Sequence, residues 1–283
     1  MSSIVDLHTH SDKSDGSDPP PELVRRAARA RLSAVALTDH DTVAGIAQAQ
    51  EEARRLNVEL IPGVELSTSY EGTELHIIGL FINPHSRELK KILEVLVETR
   101  KTRNEQLADR LRELGIPIKK SELPSGNGTS VTRAHFAKLL IEKGYCSSVS
   151  DAYNRYLGFG APAHVPRDKL SPQQAISVIH KAGGIAVLAH LNQIRLKDDS
   201  SLLAIIPDLK EMGLDGLEAY YPEYTQKQQE EYLEYADIFD LAVTGGSDYH
   251  GDNKDYELGL GTAGEPIGEE VLINLKKRMQ SVL

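Results

Sequence analysis

The sequence predicts an α/β fold, a parallel sheet or barrel interrupted by a mostly helical insertion domain. Three observations predict it. Short apolar, strand-like runs alternate with helix-length segments toward both ends of the chain, the rhythm of βα units. That rhythm stops over residues 84–163, where charged helical patterns take over. Histidines and carboxylates recur where the strand-like runs end, which is where βα folds collect their functional groups.

In chain order, Ile4 to His10 reads as the first strand. Pro19, Pro20 and Pro21 open the next helix, because proline lacks only an N–H that a first turn leaves unpaired. Glu22 to Ala30 continues it. Ser33 to Asp39 is a strand, Val43 to Leu56 a helix, and Val58 to Val64 and Glu74 to Ile82 two further strands. Arg87 to Leu114 is a long charged helix stopped by Gly115 and Pro117. Leu123 to Thr129 reads as a loop. Arg133 to Glu142 and Val149 to Leu157 read as short helices, and Gly158 to Pro162 as a break. Alternation resumes with a helix at Pro172 to Lys181 and strands at Ile185 to His190, Gly213 to Tyr220 and Leu241 to Asp248. The expected division is a discontinuous α/β unit, residues 1–83 and 164–283, with residues 84–163 as an insertion that recognises substrate.

Composition bounds the function. The 283 residues suit one large domain, or one domain carrying an insertion. With 40% hydrophobic and 26% charged residues, the chain reads as globular rather than disordered. No run approaches the ~20 apolar residues of a membrane span. Met1 to His10 lacks the basic and apolar regions of a secretory signal, so the expected location is cytoplasmic, away from membranes. The single cysteine, Cys146, excludes an internal disulfide and a cysteine zinc site. The net charge of −10 argues against duplex DNA as a partner. It permits a small phosphorylated substrate if bound metal supplies local positive potential. No heptad or long apolar stripe sets an oligomeric state.

Six of the 10 histidines lie at or near strand ends. His8 and His10 share a strand face with Asp6, because residues i and i+2 point the same way. The expectation is that these face inward while Val5 and Leu7 face the covering helices. Asp15 follows in a turn-forming stretch. His40 and Glu65 end the second and third strands, and His76 lies in the fourth. His190 ends the fifth, and Asp248 and His250 close the last. Any one of these is unremarkable alone. Burying them together is costly without a compensating charge, and metal ions supply it. Imidazole suits zinc, iron and manganese, and carboxylate suits manganese or magnesium. The ligands exceed what one ion needs, so two to three divalent ions are expected, manganese first, with iron or zinc as alternatives.

The pattern His8-Thr9-His10, Ser14-Asp15-Gly16-Ser17, Thr38-Asp39-His40-Asp41, Pro62-Gly63-Val64-Glu65, His76, Ala189-His190 and Ser247-Asp248-Tyr249-His250 resembles the PHP family, named for polymerase and histidinol phosphatase. Within it the chain is most similar to stand-alone phosphoesterases, a branch with 3′,5′-nucleotide bisphosphatases and 5′-3′ exoribonucleases of short RNA. Thr132 to Lys138, Tyr156 to Gly158 and Ala163 to Pro166 match that branch's insertion. The resemblance implies a distorted (β/α)7 barrel, the PHP fold, with a trinuclear metal site. By the same resemblance His8, His10, Glu65 and Asp248 hold one ion. Glu65 bridges to a second, held with His76 and His190. Asp15, His40 and His250 hold the third. Two positions depart from the branch without touching a ligand: Leu191 where proline is common, and His164 where tyrosine is common.

Three divalent ions bring roughly +6 and three carboxylates roughly −3; with a bridging hydroxide the site stands near about +2, which a phosphate neutralises. Metal also makes hydroxide available near neutral pH. The expected reaction is in-line attack on phosphorus by a hydroxide shared across Glu65. Glu65, Asp248 and His190 are then the catalytic metal-bridging or metal-holding groups. No general acid is evident. Asp39 and Asp41 flank His40 as candidates for orienting imidazoles. Arg133, His135 and Lys138, near the start of a helix capped by Thr132, are candidate substrate-binding residues. Tyr220 and Tyr221 either stack a base or pack the core. His85 and His180 stand outside the ligand pattern.

The expected enzyme is a metal-dependent phosphoric ester hydrolase, phosphatase or exonuclease. Its substrates would be the 3′-phosphate of 3′,5′-bisphosphonucleotides, 5′-phosphorylated short oligoribonucleotides, or both. Another small phosphomonoester such as histidinol phosphate is the alternative. A C–N amidohydrolase usually shows a metal-bridging lysine at a strand end, absent here. A non-catalytic metal-binding module would be expected to have lost ligands.

Overall fold

The computed structural model describes residues 3–124, 129–196 and 202–282. Residues 125–128 of the predicted loop and residues 1–2 of the N-terminal segment lie outside that set. The elements are β1 (Ile4–Asp6), α1 (Pro20–Arg29), β2 (Leu32–Leu37), α2 (Ile46–Leu56), β3 (Glu59–Tyr70) and β4 (Thr73–Leu80). There follow α3 (Arg87–Glu113), α4 (Arg133–Glu142), α5 (Val149–Ala152), α6 (Pro172–Lys181) and β5 (Ile185–Leu188). The chain ends with α7 (Leu202–Glu211), β6 (Gly216–Tyr220), α8 (Gln226–Ile238), β7 (Ala242–Gly245) and α9 (Glu270–Val282). Among the described residues no helix is long and apolar enough to cross a membrane.

All seven strands form one sheet in chain order. Every pairing is parallel except those of β4, which runs antiparallel to both β3 and β5. The expected parallel sheet is therefore mixed. The reason is local. Glu71 and Gly72, with φ of 50° and 83°, make a two-residue hairpin turn, whereas a parallel neighbour needs a crossover of a dozen or more residues. The sheet is not closed by strand pairing. Its two edges do meet at one end, where Leu7 N–H donates to Gly245 O (3.1 Å) and His10 N–H to Tyr249 O (2.8 Å).

Alternate residues of each strand serve two apolar clusters, as the period of two requires. One cluster joins Val35, Val64, Ile77, Leu188 and Leu217 to Leu23, Ala49, Ile176, Ile206 and Tyr235 of the covering helices. The other joins Val5, Leu7, Ala34, Ala36, Ile78 and Val187 to Val271, Leu272 and Leu275 of α9. Val5 and Leu7 thus pack toward α9 instead of the covering helices, contrary to expectation. The sequence reading singled out neither α9 nor α7. In α7, Pro207 lies inside the helix, where it reads as a breaker.

Helix α3 links two regions. Ser86 caps it by accepting Leu89 N–H (3.4 Å). Leu89, Leu93 and Leu96 join the first cluster. Leu107 and Leu111 join a third, with Phe136, Leu140, Cys146, Leu157 and Val165. Between these apolar stretches the buried positions are Arg100, Arg103 and Asn104. Burying cations at the junction of two apolar clusters needs a reason, and the neighbouring site provides it.

Candidate metal centre

Several strands stop sooner than the sequence suggests, whereas β3, expected to end at Val64, runs on to Tyr70. β1 ends at Asp6, β2 at Leu37, β5 at Leu188 and β7 at Gly245. His8, His10, His40, His190, Asp248 and His250 therefore stand on loops just past the strands, while Glu65 and His76 remain inside β3 and β4. The backbone sets their approach. Glu65 bridges His40 in parallel fashion, and Ser67 faces His76 across the hairpin. His190 and Asp248 adopt φ of 27° and 52°, unusual for residues with a Cβ. At Gly246 a Cβ would sit 2.3 Å from His8 Cβ, so only glycine lets the chain leaving β7 pass the first histidine.

Glu65 is the hub. Its Oε2 lies 3.3 Å from His8 Nε2, 3.1 Å from His10 Nε2 and 3.0 Å from His40 Nδ1. Its Oε1 lies 2.8 Å from both His76 Nδ1 and His190 Nε2. Asp248 Oδ1 is 3.3 Å from His10 Nε2 and 3.6 Å from His8 Nε2. Asp15 stands 3.2 Å from His250 Nε2 and 3.7 Å from His40 Nε2. Atoms about 2.1 Å from a shared ion lie roughly 3.0–3.4 Å apart in octahedral or tetrahedral shells. The Glu65 contacts with His8, His10 and His40, the Asp248 contact with His10 and the Asp15 contact with His250 fall in that range; the others lie within about 0.3 Å of it.

The donor set fits divalent ions by a second criterion. His8 Nε2 and His10 Nε2 are 3.1 Å apart, and two ring nitrogens so close share a cation more readily than a proton. His40 Nδ1 is buried and makes no hydrogen bond among the described residues. Burial pushes the Glu65 carboxyl up, yet His40, His76 and His8 hold it well below the usual carboxylate range. Burial, Lys254 and His10 push His250 down to about 4, leaving a neutral imidazole suited to ligation. Among the described residues three groups could each hold an ion: His10, Asp15, His40 and His250; His8, His10 and Glu65; and His40, Glu65 and His76.

Supporting residues surround this cluster. Glu218, fully buried, places Oε1 2.8 Å from His8 Nδ1 and accepts the His190 N–H on Oε2 at 2.7 Å. The sequence reading missed it; its signal was one carboxylate inside an apolar strand. Asp39 acts through serine: Ser14 Oγ donates to it (2.7 Å) and lies 3.4 Å from His10 Nδ1. Asp41 departs from its expected role with imidazoles. Its carboxylate accepts from Arg100 Nε (2.9 Å), Arg167 Nη1 (3.0 Å) and Ser67 N–H (3.0 Å). Tyr221 is fully buried and its hydroxyl donates to Asp248 Oδ2 (3.0 Å), so no ring face is left to stack an incoming base. Lys254 pairs with the same carboxylate oxygen.

Beside the cluster opens a cavity of about 570 Å³, an ordinary size for a small-molecule site. Asp15, His40 and His76 line it, together with Arg100, Arg103, Arg133, Arg167, Lys169 and Arg195. Arg133 and Lys169 both reach Glu74, at 3.1 and 2.7 Å. His135 does not line the cavity; its Nδ1 accepts Thr132 N–H at 3.0 Å and caps α4. Lys138 is exposed on α4 and is likewise absent from the lining.

A family model described as the PHP domain matches residues 6–243. The chain belongs to the PHP family. This PHP protein is 38% identical over 250 residues to the 5'-3' exoribonuclease Rnm of Escherichia coli, covering 87% of this chain and 85% of the relative. It is 32% identical over 248 residues to a 3',5'-nucleoside bisphosphate phosphatase of Chromobacterium violaceum, covering 87% of each. Its structure matches a protein of Bifidobacterium adolescentis described as a metal-dependent phosphoesterase, with a TM-score of 0.88, 28% identity and coverage of 98% and 96% of the two chains. The PHP protein is a phosphoric ester hydrolase of this metal-dependent family.

Proposed function

We propose that this enzyme hydrolyses nucleotide phosphate esters, removing the 3′-phosphate of 3′,5′-bisphosphonucleotides and trimming 5′-phosphorylated short oligoribonucleotides. One observation carries the reading: the cavity beside the cluster also contains an uncompensated buried cation. Arg103 is 5% exposed, and its Nε and Nη2 have no hydrogen-bond partner among the described residues. Burial and the neighbouring Arg100, Arg133 and Arg167 push its pKa down to about 9. Such a group is costly until an anion meets it. A substrate with a second phosphate away from the reacting one supplies that anion.

In this reading His8, His10, Glu65 and Asp248 hold one ion, Glu65, His76 and His190 a second, and Asp15, His40 and His250 a third. Manganese is the first choice, iron and zinc the alternatives. Bound ions supply Lewis acidity and lower the pKa of water. The chain's own residues hold and orient the substrate. Arg103 takes a phosphate in bidentate fashion, Arg100 and Arg167 are fixed beside it by Asp41, and Arg133 and Lys169 are fixed by Glu74. Residues 84–163 act as a recognition insertion, contributing Arg100, Arg103 and Arg133. Histidinol phosphate fits less well, because its amine would face this cationic wall.

The test supplies manganese-loaded protein with adenosine 3′,5′-bisphosphate and with a 5′-phosphorylated short oligoribonucleotide. Orthophosphate from the first and stepwise mononucleotides from the second are expected. No product from either, with manganese, iron or zinc, overturns the reading.

A further inference from the structure

Phe159 is 94% exposed, more than any other large apolar side chain among the described residues. A single exposed apolar residue is ordinary; the setting of this one is not. It lines the cavity beside the metal-ligand cluster, together with Arg103. Its ring contacts His164 edge-on, with centroids 5.5 Å apart and planes at 64°, and His164 lines the same cavity.

The segment that carries both rings is braced. A π-helical turn, Tyr153–Leu157, runs into it. Gly158 N–H donates to Tyr153 O (2.8 Å), Ala161 N–H to Gly158 O (3.0 Å), Ala163 N–H to Tyr156 O (3.0 Å) and His164 N–H to Ala161 O (2.9 Å). Arg110 donates to His164 O. A Cβ at Gly158 would lie 2.7 Å from Tyr153 O, so the tight exit from the turn requires glycine. A rigid backbone thus presents an aromatic ring that packs into none of the three apolar clusters.

We propose that Phe159 and His164 form the stacking platform for the nucleobase of the substrate. This inference rests on the nucleotide reading above and deepens it. A nucleotide offers two things to this cavity: phosphates for the cations, and a flat apolar base for an exposed ring. Every base has a π-face, so stacking tolerates all of them. The platform therefore accepts every base, with purines held somewhat better than pyrimidines through their larger stacking area.

The chain contains no tryptophan, so Phe159→Trp introduces a unique reporter at an exposed position where packing is undisturbed. Manganese-loaded full-length Phe159→Trp is titrated with adenosine 5′-monophosphate and, as a base-free control, ribose 5-phosphate. Saturable quenching by the nucleotide and none by the sugar phosphate is expected. In parallel, Phe159→Ala raises KM for adenosine 3′,5′-bisphosphate roughly tenfold, and Phe159→Tyr restores it. Unchanged emission, equal responses to both ligands, or an unchanged KM in Phe159→Ala overturns the platform. The fluorescence reading needs no turnover. Turnover without quenching sinks only the platform, whereas quenching without turnover supports the platform and sinks the proposed activity.

Discussion

The Nδ1 of His8 lies 2.8 Å from Oε1 of Glu218, 210 residues away in the chain. The other ring nitrogen faces the Glu65 and Asp248 carboxylates. With a metal bound as proposed, Glu218 would hold the proton on Nδ1 and leave the Nε2 lone pair free to ligate. Partners of this kind typically tune metal affinity by about 10- to 100-fold. Glu218→Gln should keep the fold, weaken metal binding by at least about tenfold, and show this in a calorimetric titration of the apo-protein with manganese. Wild-type affinity would remove Glu218 from the design.

Glu65 is the carboxylate that touches both sides of the cluster, with separate oxygens toward His8, His10 and His40 and toward His76 and His190. Glu65→Gln keeps its volume and loses its charge. The variant is expected to bind fewer ions per chain by elemental analysis and to lose turnover by roughly a hundredfold or more. Full metal content with full rate is the result that would end its role as a bridge.

Arg103 sets stability against function. Replacing a buried charge with no ion-pair partner among the described residues by an apolar side chain of similar length should stabilise the fold, by about 1–4 kcal/mol if it resembles other buried ionic groups. Arg103→Met should therefore unfold at higher urea concentration than wild type while its KM for a bisphosphonucleotide rises. Lower stability together with unchanged KM would show that the guanidinium supports the protein and not the ligand.

Asp41 carries a pH dependence whose sign follows from its partners. Burial pushes its carboxyl up, but Arg100, Arg167 and the Ser67 amide hold it at about 2. A folded pKa below the unfolded one stabilises above the unfolded value, near 4, and the contribution disappears as pH falls through 2. Its size is roughly 2 kcal/mol. Asp41→Asn should be less stable than wild type at pH 6, with the gap closing toward pH 2. Urea unfolding in chelator makes the comparison, since ligand protonation is then common to both proteins. A gap independent of pH would mean that Asp41 is not charged in the fold.

The sequence marked residues by type and position. Nine histidine and carboxylate side chains at or near the ends of strand-like runs were legible because their chemistry belongs to the residue and because polar residues stand out beside apolar runs. These side chains meet around Glu65. The helical character of residues 84–163 was legible for the same local reason. Strand ends were read too long at β1, β2, β4, β5, β6 and β7 and too short at β3, because an apolar run does not say where the backbone turns into a loop.

Relationships between distant residues were not legible. Asp41 and Arg100 are 59 residues apart, and no period connects them, so Asp41 read as a neighbour of His40 when it is the anchor of two arginines. Arg103 looked like one more charge on a charged helix; only packing between two apolar clusters shows it buried, with Nε and Nη2 unpartnered among the described residues. Exposure was equally hidden: of the two readings for Tyr221 the packed one holds, since it is enclosed beneath Asp248, and Phe159, in a glycine-rich break, stands exposed at the cavity. By itself the sequence determined the α/β rhythm, the helical interruption and the residue types of the candidate cluster, because these follow from local periodicity and side-chain chemistry. Tertiary structure alone decided the antiparallel β4, the packing of α9, the partner of each carboxylate and the composition of the cavity, because burial and pairing are properties of the folded chain.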